Sequence, residues 1–190
     1  MQHHRIIWLA FGANVDGAWG APTQSIAQAV RELAKLGLVP VAMSDIIVSA
    51  PQGVLRQPEF CNAVGAFSGS IGAMTLLRHI KRLERAAGRR IGRRHGPRPL
   101  DIDIIDFGRR RVRERCPSTG HFTLVLPHPG ALHRGFVLEP LATIAPHWRH
   151  PLAGVTASSL LRRKPWLARD LSRVRAARRR LRRASAIWAD

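Results

Sequence analysis

HGPRPLDIDIIDFG, residues 95–108, sets three aspartates (Asp101, Asp103 and Asp106) in a run otherwise made of isoleucine and leucine. The apolar residues predict a buried β-strand. Burying a carboxylate without a partner is expensive, so each aspartate needs a cation or a donor. Alternate strand residues share a face, so Asp101 and Asp103 project together while Ile102 and Ile104 point the other way. Asp106 has the opposite parity and reads as structural. Two neighbouring carboxylates repel unless a cation or a proton lies between them. Magnesium meets that need, because it takes one or two carboxylates, keeps waters and draws its remaining oxygens from phosphates. Arg89, Arg90, Arg93, Arg94 and Arg98 flank the pair, so a phosphate chain would join both kinds of charge through the metal. The simpler alternative is that the aspartates pair only with those arginines.

The rest of the chain frames this strand. Its 190 residues suit one domain, and 45% hydrophobic with 23% charged residues is a globular composition. Lys plus Arg number 31 against 12 Asp plus Glu, a net charge of +19. Residues 161–190 alone hold eleven basic and two acidic residues. Nucleic acid, nucleotides and anionic lipid are therefore admissible partners. Two cysteines, Cys61 and Cys116, lie outside any zinc-ligand spacing, which fits a reducing cytoplasm rather than a disulfide framework. The apolar run Ile6 to Ala13 is too short to span a bilayer and reads as a first strand.

Helical spacing of Ile26, Ala29, Val30, Leu33 and Leu36 predicts a helix with Thr23 as N-cap and Gly37 as stop. A second long helix spans 72–88, ended by Gly88. LVPVAMSDIIVSAP and FCNAVGAFSG read as extended chain, and 109–122 as an arginine-rich loop or hairpin. HFTLVLPHPGALHRGFVLEPLATIAP gives strand, loop and short helix. These alternations predict a layered α/β or α+β domain over 1–164. An arginine-rich tail follows over 165–190, with Leu167, Leu171, Val174 and Leu181 on one helical face. There is neither GxxxxGK[ST] nor a strand-linked GxGxxG, so side chains and metal must hold any nucleotide phosphates.

Seven motifs then occur in order: FGAN at 11–14, QPEFCNAV at 57–64, LERAAGR at 83–89, GPRPLDIDIIDFG at 96–108, LPHP at 126–129, HRGFVLEPLATIAP at 133–146 and HPLAG at 150–154. Together they make the chain resemble the 6-hydroxymethyl-7,8-dihydropterin pyrophosphokinase family from Ile7 to about Leu161. That resemblance implies an α+β, ferredoxin-like layered domain, a mostly antiparallel sheet flanked by helices, with a basic C-terminal helix added here. It implies transfer of a pyrophosphoryl group from ATP to a pterin alcohol in folate biosynthesis. It also implies two Mg²⁺ ions on Asp101 and Asp103, and Arg89 and Arg98 on the phosphates. Lys81, Glu84, Ile104, His128 and Arg134 fall on the nucleotide side. Ser49, Ala50, Gln52, Gln57, Phe60, Asn62, His95 and Phe136 fall on the pterin side, with Phe60 and Phe136 sandwiching the ring and Asn62 bonding its edge.

Such a pocket suits a flat heterocycle, which needs apolar faces and an amide at its rim. His95 and Lys81 depart from the family's pattern, which often has a loop aromatic and a glutamine there. The resemblance leaves out the tail, whose amphipathic pattern suits docking on the domain and whose arginines would give weak polyanion or nucleic-acid contact. A monomeric cytoplasmic enzyme without membrane insertion is the expectation. The competing expectation is a nucleic-acid-binding protein on a degenerate kinase scaffold.

Overall fold

The computed structural model describes residues 4–51, 56–90, 96–115, 123–164 and 167. Strand β1 (Arg5–Ala13) is the centre of the sheet, pairing antiparallel with β4 (Phe60–Gly69) on one side and β5 (Asp101–Phe107) on the other. Strands β2 (Val39–Met43) and β3 (Ile47–Ser49) both pair antiparallel with β4. The main path runs β2-β4-β1-β5. Helix α1 (Pro22–Lys35) follows β1, and α2 (Ala73–Ala86) follows β4. The β-α-β-β-β-α-β order places both helices on one face of the sheet. Strands β6 (Val112–Arg115) and β7 (Thr123–Leu126) form a separate antiparallel pair, so 109–122 does begin a hairpin, whose connection lies outside the described residues. A 3-10 turn (Ala131–His133), α3 (Gly135–Ile144) and α4 (Ala157–Arg163) complete the described fold.

The sheet is covered on both faces. Ile26, Val30 and Leu33 of α1, with Leu76 and Ile80 of α2, bury against Leu9, Phe11, Phe67, Ile102 and Phe107. On the other face Val137, Leu138 and Leu141 of α3 and Leu160 of α4 pack on Ala10, Val64 and Ile105. Leu167 joins this second layer, whereas the other residues of the predicted tail helix lie outside the described residues. No described helix is long and apolar enough to cross a membrane.

Two local expectations change. Helix α1 starts two residues earlier than predicted: Ala21 is the N-cap, Pro22 opens the helix, and Thr23 lies inside it. Proline needs no N–H partner there, and Gln24 Oε1 accepts the Ala21 N–H at 2.8 Å, completing half of a capping box. Asp106 is the larger correction. The pairing register shifts between Trp8 and Leu9, so Leu9 faces Ile104 while Trp8 faces Asp106, leaving Ile105 as an extra residue. This bulge resets the alternation. Asp106 therefore shares a face with Asp101 and Asp103 rather than opposing them, and only its structural role stands as expected. Its Oδ2 accepts the Trp148 Nε1–H at 3.1 Å and its Oδ1 accepts the Arg109 N–H at 2.8 Å.

The β5–β6 connection is a tight turn in which Gly108 and Arg109 both take left-handed φ, 57° and 60°, and Arg110 N–H donates to Phe107 O at 3.1 Å. A side chain in that region costs about 1 kcal/mol relative to glycine. The Asp106 carboxylate offsets part of this by binding the turn's amide. Asp106→Ala should lower the unfolding free energy by about 2–3 kcal/mol, because it leaves a buried indole N–H unpaired. Urea denaturation measures it, and a loss below about 0.5 kcal/mol would contradict the buried bond.

Candidate active site

Register builds the site in rows across three strands. Gly12 of β1 pairs with Asn62 on one side and Asp101 on the other. Ala10 likewise lies between Val64 and Asp103. With strands about 4.8 Å apart, the Asn62 amide and the Asp101 carboxylate start about 10 Å from each other, over a floor of a glycine and an alanine. A Cβ on Gly12 would stand 3.4 Å from Asn62 Oδ1 and 3.9 Å from Phe60 Cδ1, so the missing side chain keeps the floor low beside the amide. One cavity has Ser49, Ala50, Gln57, Phe60, Asn62 and Phe136 at its apolar end, and Arg98, Asp101, Asp103 and Arg134 at its charged end.

At the charged end both acids are held by arginine. Asp101 Oδ1 accepts from Arg89 at 2.5 Å and Oδ2 from Arg98 at 2.6 Å. Asp103 Oδ2 accepts from Arg134 at 2.5 Å, while its Oδ1 faces His128 Nε2 at 3.7 Å. About a quarter of each aspartate side chain remains accessible. Burial lifts the Asp101 carboxyl, but the Arg98 and Arg89 charges outweigh it and hold the group below the ordinary carboxylate range. Desolvation depresses His128, only partly opposed by Asp103, so its imidazole is neutral at pH 7. His128 Nδ1 accepts the Gly130 N–H at 3.0 Å, which assigns the ring proton to Nε2, directed toward Asp103.

Glu84 does not line open space. It is 2% exposed in α2, where its carboxylate meets Lys81 Nζ at 2.9 and 3.0 Å, Arg89 at 3.0 Å and the Ile102 N–H at 3.1 Å. Burial raises its pKa despite Lys81 and Arg89. Its position makes it a bracket that orients Arg89 and anchors β5 to α2. Lys81, in place of the family's glutamine, spends its ammonium on Glu84. The Ile104 side chain is in the core between sheet and helices, so only backbone atoms of that residue could meet a nucleotide. Gln52 and His95 lie outside the described residues, as do Arg93 and Arg94.

Asn14, quoted within FGAN but given no role from sequence, ties the cavity rim together. It is 3% exposed; its Nδ2 donates to Gln57 Oε1 at 3.1 Å and Pro58 O at 3.0 Å, and its Oδ1 accepts the Arg98 N–H at 2.8 Å. One amide thus links the segment carrying Gln57 to the segment carrying Arg98. Asn62 is equally buried, and its Nδ2 donates to Ser49 Oγ at 3.0 Å and Phe60 O at 3.1 Å. Arg134 lies over the Phe136 ring at 5.8 Å, joining the two ends of the cavity.

The described residues hold no group of three or more His, Cys, Asp or Glu side chains suited to a metal. Two carboxylates beside three arginines instead fit an ion that takes most of its ligands from water and substrate.

A family model described as 7,8-dihydro-6-hydroxymethylpterin-pyrophosphokinase (HPPK) matches residues 8–146. A Pseudomonas aeruginosa protein named 2-amino-4-hydroxy-6-hydroxymethyldihydropteridine pyrophosphokinase is 34% identical over 146 residues, 76% of this chain and 83% of its own length. The mitochondrial folate synthesis bifunctional protein of Arabidopsis thaliana is 33% identical over 141 residues, covering 74% of this chain and 23% of that protein. The chain spans less than a quarter of the length of that plant protein and of the similar proteins from Pneumocystis carinii and Dictyostelium discoideum. A Plasmodium falciparum HPPK-DHPS crystal structure with pteroate superposes with a TM-score of 0.67 at 13% identity, over 86% of this chain and 45% of that one, and shares the fold.

The arginine pairing of Asp101 has a pH signature. A depressed carboxyl stabilises the fold above its unfolded pKa, near 3.8, and that contribution fades as pH falls through the lower folded value. The stability gap between wild type and Asp101→Asn should therefore be constant from pH 7 to 5 and shrink below about pH 4. Denaturation midpoints across that range measure it; a gap unchanged at pH 3 would contradict the pairing.

Proposed function

Because the chain belongs to the 7,8-dihydro-6-hydroxymethylpterin-pyrophosphokinase family, we propose that it transfers the pyrophosphoryl group of ATP to the hydroxymethyl oxygen of 6-hydroxymethyl-7,8-dihydropterin, releasing AMP. The observation that carries this reading is a single cavity with an apolar, amide-edged end and an acid–arginine end. We take residues 1–164 as the catalytic unit, of ferredoxin-like type, with 165–190 as a separate tail.

In this reading the pterin lies over Gly12 between Phe60 and Phe136, and Asn62 bonds its rim. Ser49 fixes the Asn62 amide, which orients it before the ring arrives. The hydroxymethyl group then points along the row from Asn62 toward Asp101. Its oxygen attacks the β-phosphorus in line; a new O–P bond forms, the bond from that phosphorus to the α,β-bridging oxygen breaks, and AMP departs with the oxygen. The hydroxyl proton passes to solvent. Asp101 and Asp103 would hold two Mg²⁺ ions, which supply polarisation of phosphate and hydroxyl oxygens and neutralise charge. Arg89, Arg98 and Arg134 meet the charge of the transferred group once phosphate draws them from the aspartates. His128 offers Nε2–H as a donor rather than acting as a base. Positioning and charge stabilisation supply most of the rate in such transfers.

Incubating the protein with ATP, Mg²⁺ and the hydroxymethyl dihydropterin should yield AMP and the pterin diphosphate. Asp103→Ala should lower turnover by at least about 100-fold in folded protein. Phe136→Ala should instead raise KM for the pterin more than it lowers kcat. Folded wild type that forms no AMP would overturn the proposal.

A further inference from the structure

A second concave surface lies at the other end of β1, lined by Arg5, Trp8, Asp106, Arg109, Trp148 and Arg149. Trp8 lies two residues, about 6.6 Å, beyond Ala10 at the near edge of the cleft, and the two hollows share no lining residue. Asp106 is the carboxylate lining it, and both its oxygens are occupied by the Trp148 indole and the Arg109 amide. Arg5 stacks over the Phe107 ring at 5.1 Å, Arg109 donates to Arg149 O at 3.4 Å, and Arg149 donates to Gly154 O at 2.9 Å. Among the described residues none of the three is ion-paired, so the groove is cationic, with a partly buried Trp8 in its lining and Trp148 all but buried.

The turn strengthens this reading. Arg109 occupies a left-handed position that favours glycine or asparagine, yet an arginine stands there and is directed onto the groove. Positive charge continues from it along the exposed Arg110, Arg111, Arg113 and Arg115. Residues 168–190 carry eight arginines and two aspartates.

One partly exposed indole face, Trp8, beside three guanidinium groups that meet no carboxylate among the described residues suits a chain in which a base can stack and successive phosphates can be paired. We infer that this groove is a binding surface for single-stranded nucleic acid, independent of the pterin and ATP cleft. A duplex would withhold its bases from Trp8, and the spread of arginines exceeds what one nucleotide can neutralise.

The test uses the full chain and a fluorescein-labelled 16-nucleotide single strand of mixed sequence, followed by fluorescence anisotropy across a salt series. The Arg109→Gly, Arg149→Gln double variant should bind at least fivefold more weakly at 100 mM salt. Its log–log salt slope should fall by about 1.4, two phosphate contacts at about 0.7 each. Arg109→Gly relieves the left-handed strain, so its melting midpoint should be unchanged or higher and its AMP production unaltered, which separates lost binding from lost folding. Trp8→Leu should weaken the oligonucleotide but not heparin. The inference is overturned if the double variant binds like wild type, leaving the C-terminal arginines responsible. It is also overturned if MgATP displaces the strand, if Trp8→Leu weakens heparin equally, or if AMP binds as tightly as the oligonucleotide.

Discussion

Asp101 and Asp103 stand on one face of β5, and their like charges repel unless cations lie beside them. Alternate residues of a strand stand about 6.6 Å apart, where two like charges at an effective dielectric of about 20 repel by about 2.5 kcal/mol. The fold answers with guanidinium groups from three places: Arg89 just after α2, Arg98 before β5, and Arg134 at the start of α3. Three separate segments therefore converge on two residues. Glu84 holds Arg89 from behind, and Asn14 holds the Arg98 backbone. The same cations that neutralise the acids in the free protein are the groups a triphosphate would engage, so a metal and its phosphates can replace the ion pairs as a unit.

The other half of the site depends on what β1 lacks. Gly12 and Ala10 separate the amide of β4 from the acids of β5 and rise too little to block the space between them. A larger residue at position 12 would crowd Asn62 and Phe60. The chemistry thus rests on strand register, and register rests on the apolar residues of β1 buried against α1 and α2.

That dependence explains what the sequence disclosed. Period-2 alternation around Asp101 and Asp103 is a backbone property, so their shared face was legible, as were the two helices from the spacing of residues such as Ile26 and Leu33. The bulge at Ile105 was not, since one extra residue leaves no trace in composition, and it moved Asp106 to the opposite face from the one expected. The resemblance set Glu84 on the nucleotide side; only tertiary packing reveals that β5 covers it. Asn14 sits 43 residues from Gln57 and 84 from Arg98, distances over which sequence carries no pairing signal. The fit of Ile104 to a family pattern likewise could not tell side chain from backbone.

The central claim is that the two acids exchange arginine for a divalent cation when nucleotide binds. A crystal structure of the chain with Mg²⁺ and a non-hydrolysable ATP analogue tests it most directly. The account predicts Asp101 and Asp103 oxygens at about 2.1 Å from Mg²⁺, with Arg89, Arg98 and Arg134 turned onto phosphate oxygens. Nucleotide bound with both aspartates still gripped only by those arginines, and no ion between them, would contradict it.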